Sequence, residues 1–185
     1  MKHIIMLLVL IMINGRYKTW RRLPENLPTL IYVAFINLIY YFVSQKKKVW
    51  EFRSNDLSLK KVRFIQSFLA TPLITLLYLS GVPYSLGKSK VMHFLLYTGV
   101  STFFEWLANK KLKMISFYNG WNIQWSLLIY IQLFLFAHLY KKYPMIIWLM
   151  TILSIDQYVR LFSIPIQQEM FRPSEIKDFL ENTYY

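Results

Sequence analysis

Hydrophobic residues along the chain occur in long blocks that are separated by clusters of Lys and Arg. A helix of roughly 20 residues crosses the apolar core of a bilayer, which is about 30 Å thick, and satisfies its own backbone hydrogen bonds there. Because the blocks approach this length without strict alternation, they predict transmembrane helices. The five predicted spans cover residues 27–43, 62–80, 91–108, 121–140 and 144–164.

A further apolar block at residues 3–14 is short for a span. It can cross a thinned bilayer while Lys2 and Arg16 extend to the interfaces, or it can enter the membrane without crossing. No small-residue cleavage pattern follows it, so we expect it to be retained. We favour a crossing. The predicted fold is therefore all-α, a polytopic transmembrane helix bundle of five to six spans that forms one domain over residues 1–185.

Two local features refine this prediction. Pro72 falls in the middle of the span at residues 62–80, so we expect it to kink that helix. The tail at residues 171–185 has the pattern of a short amphipathic helix that starts at Ser174 and lies on the cytoplasmic surface.

Basic residues in the loops predict the orientation of the bundle. The loop at residues 44–61 and the adjoining Arg63 together carry seven of them: Lys46, Lys47, Lys48, Arg53, Lys60, Lys61 and Arg63. The loop after Ala108 adds Lys110, Lys111 and Lys113. Since Lys and Arg are enriched in cytoplasmic loops, both loops are predicted on the cytoplasmic side, together with the two termini.

Composition and charge narrow the class of protein. The 185 residues are 56% hydrophobic and carry a net charge of +13. Because the basic residues lie in short loops between apolar blocks, they fit anionic lipid headgroups and topology signals better than nucleic acid. The chain contains no cysteine, which excludes disulfides and thiolate metal sites. No other metal-ligand cluster and no cofactor is predicted.

Polar residues within the predicted spans fall at a similar depth in one leaflet, because successive spans alternate in direction. This depth predicts a cluster of side chains that forms a ligand site: Asn37, Gln66, Glu105, Asn122, Ser126, Asp156 and Arg160. Asp156 and Arg160 are four residues apart on one helix, so they can pair, and a charge inside a membrane favours an inward orientation. Glu105 can share the same guanidinium. The structural alternative is a pair that only locks helix packing.

The motif Tyr118-Asn119-Gly120-Trp121-Asn122 precedes the span at residues 121–140. Gly120 can supply a turn, and Asn119 or Asn122 can cap the following helix. We expect Tyr118, Trp121 and Trp125 to lie in an aromatic belt at headgroup level. Asn122 and Ser126 are expected to face inward beside Glu105, where the start of the helix could bind an anionic headgroup.

Several of these motifs resemble an uncharacterised family of small multi-pass membrane proteins from spore-forming Firmicutes that carries a placeholder clostridial locus name. The resemblance runs from Trp20 to about Arg160 and rests on these residues: Trp20, Pro28-Thr29, Pro72 with Leu76-Leu77-Tyr78, Glu105-Trp106, and above all residues 118–122 with Trp125-Ser126. It implies a multi-pass protein of the bacterial cell membrane with a link to sporulation. It implies no activity and no site residues.

Three functions compete on this evidence. The leading hypothesis is a protein without a catalytic motif that binds a lipid headgroup, from anionic lipids of the membrane, or organises a membrane-protein partner through the polar cluster. The second is a small transporter or a substrate-binding membrane subunit, for which no inverted repeat is visible. The third is an intramembrane lipid-modifying enzyme that uses Glu105 or Asp156 as a general acid or base.

Overall fold

A computed structural model describes residues 1–44, 47–81 and 88–165 of the chain. These residues are mostly helical, and the predicted tail helix at residues 171–185 lies outside them. The helices are α1 (Lys2–Arg16), α2 (Leu23–Val43), α3 (Leu59–Phe64), α4 (Thr71–Gly81), α5 (Lys88–Lys110), α6 (Ile123–Tyr140) and α7 (Pro144–Leu161). A 3-10 turn at Thr19–Arg22 leads into α2, and a π-helical segment at Ile65–Ala70 joins α3 to α4.

Three of the described helical segments are long and apolar enough to cross a membrane. They are Thr19–Val43, Leu59–Gly81 and Ile123–Tyr140, and they coincide with three of the predicted spans. The other helices depart from this profile for different reasons. α1 has only 15 residues, whereas α5 and α7 include charged side chains such as Glu105 and Asp156.

The bundle is organised around α4 and α6. Helix α6 contacts α2, α4, α5 and α7, while α4 also packs against α1 and α2. One core cluster joins α2, α6 and α7 through Tyr32, Val33, Phe136, Ala137 and Ile147. These positions are buried because each faces a neighbouring helix rather than the outside of the bundle.

The helical segment that contains Pro72 changes its hydrogen-bonding pattern just before the proline. Proline lacks a backbone N–H, and its ring crowds the carbonyl four residues earlier. That carbonyl belongs to Phe68, which lies within the π segment at Ile65–Ala70. A widened π turn therefore lies on the N-terminal side of Pro72, whereas the kink expected there stays a prediction.

A two-stranded antiparallel sheet is the main departure from the all-α prediction. Strand β1 (Trp50–Phe52) pairs with β2 (Ile115–Phe117), with Glu51 opposite Ser116. Both strands lie in segments that were predicted as basic loops, because three-residue strands leave almost no periodicity to detect. Their pairing places the two loops at the same end of the bundle, which we call the sheet end.

The start of α1 is also held at the sheet end. The Met1 ammonium forms an ion pair with Asp56, and Lys2 Nζ donates to the Leu112 carbonyl at 2.7 Å. At its other end α1 is tied to α4, because the buried Asn14 side chain donates to the Leu73 carbonyl at 3.4 Å. Helix α1 therefore packs lengthwise against the other helices.

Candidate functional site

Glu105 lies between α5 and α6 and is held by a chain of hydrogen-bond donors. The Ser126 hydroxyl donates to Glu105 Oε1 at 2.5 Å, and Trp121 Nε1 donates to Ser126 Oγ at 3.1 Å. The Tyr130 side chain, one helical turn beyond Ser126, lies near the same carboxylate. The structure thus brings together Glu105 and Ser126, two members of the predicted cluster, with hydroxyls and an indole around the carboxylate.

The Asn-Gly motif forms the turn that positions Ser126. Asn119 and Gly120 have φ values of 51° and 84°, and the Trp121 N–H donates to the Tyr118 carbonyl at 2.9 Å. Two consecutive residues with positive φ are typical of a type I′ turn, for which Asn-Gly is the preferred sequence. The turn is anchored to the other basic loop because Asn119 Nδ2 donates to the Lys48 carbonyl at 2.7 Å.

Asn122 caps α6 rather than facing Glu105. Its Oδ1 accepts from the backbone N–H of Gln124 at 2.9 Å and of Trp125 at 3.4 Å. The predicted cap is present, but the predicted inward orientation is wrong, because the side chain must bend back over the first turn and is exposed there. The same hydrogen bonds occupy two N–H groups with which this helix start would bind an anionic headgroup.

Trp121 is part of the protein interior, so it does not face lipid headgroups as a member of the predicted aromatic belt would. Its side chain is buried in a cluster with Val49, Phe162 and Ile164. The ring of Trp125 packs against Phe162 with the centroids 5.2 Å apart. The cluster buries these rings because β1, the turn and the end of α7 converge at the sheet end. Tyr118 stays on the surface.

Asp156 and Arg160 pair with each other, but on the outside of the bundle. Arg160 Nε lies 2.8 Å from Asp156 Oδ2, while the two side chains are 79% and 52% exposed for Arg160 and Asp156 respectively. The predicted inward orientation is therefore wrong. Helix α7 turns the face that contains Ile147 and Thr151 towards α6 and α2, so the opposite face, with the ion pair, points outward.

Gln66 and Asn37 have other partners. The Gln66 amide lies 3.1 Å from His3 Nδ1, and His3 Nε2 lies 2.7 Å from the Arg53 carbonyl. A carbonyl can only accept, so Nε2 carries the donated proton and Nδ1 accepts from Gln66. Asn37 Nδ2 donates to the Val33 carbonyl of its own helix at 2.9 Å. Neither residue belongs to the Glu105 cluster.

A buried ion pair that the sequence did not predict lies at the sheet end. Arg63 Nε donates to Glu51 Oε1 at 3.0 Å, and Lys48 forms a second ion pair with the same carboxylate. The Arg63 guanidinium also lies over the Tyr41 ring, 5.1 Å from its centroid. Glu51 and Arg63 are only 9% and 16% exposed. They form the buried carboxylate–guanidinium contact that was expected for Arg160.

The sheet end also carries a polar groove of about 280 Å³ beside β1, lined in part by Arg53, Ser54 and Tyr118. Arg53 Nη2 donates to the Tyr118 hydroxyl at 2.6 Å, so these two side chains form one edge of the groove. Within the described residues, no group of three or more His, Asp or Glu could hold a metal ion.

In the part of the chain that the structure describes, these features define a mostly helical protein with three helices that could span a membrane and a polar, basic end closed by a small sheet. No family model matches the chain, and comparisons with curated proteins and with solved structures found no match either. The resemblance to the Firmicutes family stays a prediction, as does the link to sporulation that it implies.

Proposed function

We propose that this protein is a multi-pass membrane protein of five to six spans whose sheet end binds the headgroups of anionic lipids. Three helices among the described residues have the length and composition for crossing. The remaining helices support further crossings because they turn large apolar side chains to the outside of the bundle: Ile5, Leu8 and Met12 in α1, Leu95, Leu96 and Phe103 in α5, and Met145, Leu149 and Leu153 in α7. Exposed apolar surface on this scale is typical of contact with lipid.

Polar side chains inside the bundle support the same environment. The Tyr32 hydroxyl lies 2.5 Å from Thr151 Oγ1 across α2 and α7, and Thr19 Oγ1 donates to the buried Asn14 Oδ1 at 2.5 Å. In lipid, helices associate through small residues and interhelical hydrogen bonds rather than by burying apolar surface. Apolar side chains outside and paired polar side chains inside together fit a membrane bundle.

The positions of the start of α1 and the end of α7 support six crossings. Helix α1 begins at the sheet end, and α7 finishes there, because Phe162 packs with Val49 and Lys47 Nζ donates to the Ser163 carbonyl at 3.4 Å. An even number of spans returns a chain to the side on which it started. The excess of Lys and Arg in the two basic loops makes the cytoplasm the proposed side.

The observation that carries lipid binding is the charge of the sheet end. The two basic loops, with α3 and the last residue of α5, contribute nine described basic residues to it: Lys47, Lys48, Arg53, Lys60, Lys61, Arg63, Lys110, Lys111 and Lys113. The nearby carboxylates of Glu51 and Asp56 are already paired with cations. A basic group close to an anionic leaflet contributes about 1 kcal/mol of attraction. The sheet end is therefore suited to collect anionic headgroups.

Native mass spectrometry of the full chain, titrated with phosphatidylglycerol or phosphatidylcholine, tests this proposal. Lys110→Gln/Lys111→Gln removes two exposed cations of the sheet end, whereas Arg16→Gln/Arg21→Gln removes two exposed cations of the opposite end. We expect the first variant to retain less phosphatidylglycerol than the second, with phosphatidylcholine unchanged. Equal retention by both variants and by the unmodified protein would overturn the proposal.

A further inference from the structure

The groove beside β1 has the composition of a site for one small anionic group. We infer that it binds a phosphate, either the phosphodiester of a lipid headgroup or a free phosphate ion. The inference rests on the proposed function and adds the residues that make the contact. At about 280 Å³ the groove is at the lower limit of ligand pockets, which suits a phosphate with one substituent better than a larger molecule.

Three side chains direct hydrogen-bond donors to this groove. Arg53 has five N–H donors, of which one goes to the Tyr118 hydroxyl. Because that hydroxyl accepts from Arg53, its own proton is available to a second acceptor. The Ser54 oxygen accepts from the backbone N–H groups of Asp56 and Leu57 at 3.3 and 3.1 Å, so its proton is likewise available to an acceptor.

The charge around the groove favours an anion. Glu51 lines it, but its carboxylate is engaged by Arg63 and by Lys48. Arg53, Arg63 and Lys48 are therefore three cations against the single carboxylate of Glu51. Asp56, next to the groove, is paired with the N-terminal ammonium of Met1. An anion bound at Arg53 gains attraction from the surplus positive charge and meets no unpaired carboxylate among these residues.

The shape of the Arg53 side chain favours phosphate in particular. A guanidinium presents parallel N–H groups that match two oxygens of a phosphate, which a point charge such as a lysine cannot do. The same groove is lined by Leu57 and Leu59. These apolar side chains can contact the glycerol and first methylene groups of a lipid, while a free phosphate would use the polar edge alone.

Arg53→Gln and Tyr118→Phe test the site in the full chain, with Arg160→Gln as the matched control. Arg53 and Arg160 are both exposed arginines at the sheet end, but Arg160 is outside the groove and pairs within its own helix. Arg53→Gln should weaken the strongest phosphatidylglycerol site by about tenfold or more, because a charged hydrogen bond is lost. Tyr118→Phe should weaken it less, and Arg160→Gln should leave it unchanged.

Competition with inorganic phosphate separates the two sources. If inorganic phosphate does not displace phosphatidylglycerol from the unmodified protein, the lipid is the ligand. If it does, and Arg53→Gln abolishes the competition, the site stands with a free phosphate as its ligand. Unchanged binding of both probes to Arg53→Gln overturns the inference. In that case, weaker retention by Lys110→Gln/Lys111→Gln would still support the proposed function, so the two failures are distinguishable.

Discussion

Removal of the Arg63 side chain should destabilise the protein more than removal of any exposed arginine. Breaking a buried ion pair costs about 3–5 kcal/mol, because the remaining charge is left without compensation. Here Lys48 still contacts the Glu51 carboxylate and is 39% exposed, so part of the compensation survives Arg63→Gln. The variant also loses the contact of the guanidinium with the Tyr41 ring. We therefore expect a loss of about 2–3 kcal/mol in the free energy of unfolding.

The loss can be measured as a shift of the unfolding midpoint in detergent, followed by the emission of the six tryptophans. For a chain of this size, 1 kcal/mol corresponds to about 2–4 °C, so Arg63→Gln should lower the midpoint by about 4–12 °C. Arg53→Gln is the control, because Arg53 lies next to the same strand but is exposed. Substitution at such a surface position changes stability by only about 0.5 kcal/mol.

A double-mutant cycle separates the ion pair from the other contacts of Arg63. If the pair is the cause, Glu51→Gln/Arg63→Gln should be more stable than the sum of the two single losses predicts, since neither charge is then left alone. Strictly additive losses, or an Arg63→Gln midpoint equal to that of Arg53→Gln, would refute the reasoning.

Two further predictions follow from local geometry, and a third follows from the proposed topology. Gly120→Ala should lower the free energy of unfolding by about 1 kcal/mol, because its φ of +84° strains any residue with a Cβ. No atom lies within 4 Å of the added Cβ, so a steric clash would not contribute. An unchanged unfolding midpoint would contradict the backbone strain. Ser126→Ala should lower the free energy of unfolding by about 1–3 kcal/mol and alter tryptophan emission, because the hydroxyl links the Trp121 indole to the Glu105 carboxylate. An emission spectrum and an unfolding midpoint equal to those of the unmodified protein would contradict this. Because the chain has no cysteine, single cysteines can be labelled selectively with a thiol reagent that does not cross membranes. Asn55→Cys and Lys111→Cys should react from one side of the membrane, and Lys142→Cys from the other. Labelling of all three variants from one side would contradict six spans.

The helices could be predicted from the sequence because each depends on residues that are neighbours in the chain. A long apolar block in lipid has few options besides a helix, so six helical segments lie where apolar blocks were found. Glu105 and Ser126 could also be placed at a common depth, because depth follows from the distance along each helix. This is the part of the candidate site that the structure brings together.

Orientation around a helix axis could not be predicted in the same way. Asp156 and Arg160 have the spacing of a pair, and they form one, but the neighbours of α7 decide which face turns inward. The face with Thr151 meets Tyr32 of α2, and so the charged face is left outside. The small sheet was missed for a related reason: its pairing joins residues that are far apart in the sequence and depends on the way the helices assemble.

Arg53 lies where the small sheet, helix α1 and the proposed phosphate groove come together. Its backbone contacts explain why its side chain would suit the binding of a ligand. Its N–H donates to the Met114 carbonyl at 2.7 Å, and its own carbonyl accepts from His3 of α1 at 2.7 Å. The backbone is thus fixed by the sheet on one side and by the first helix on the other, while the guanidinium is aligned by Tyr118. A group held in this way loses little conformational freedom when a ligand binds, so more of the interaction energy remains as affinity. Replacement of His3 should accordingly weaken phosphate binding at a groove that His3 does not line, because it would free the backbone that carries Arg53.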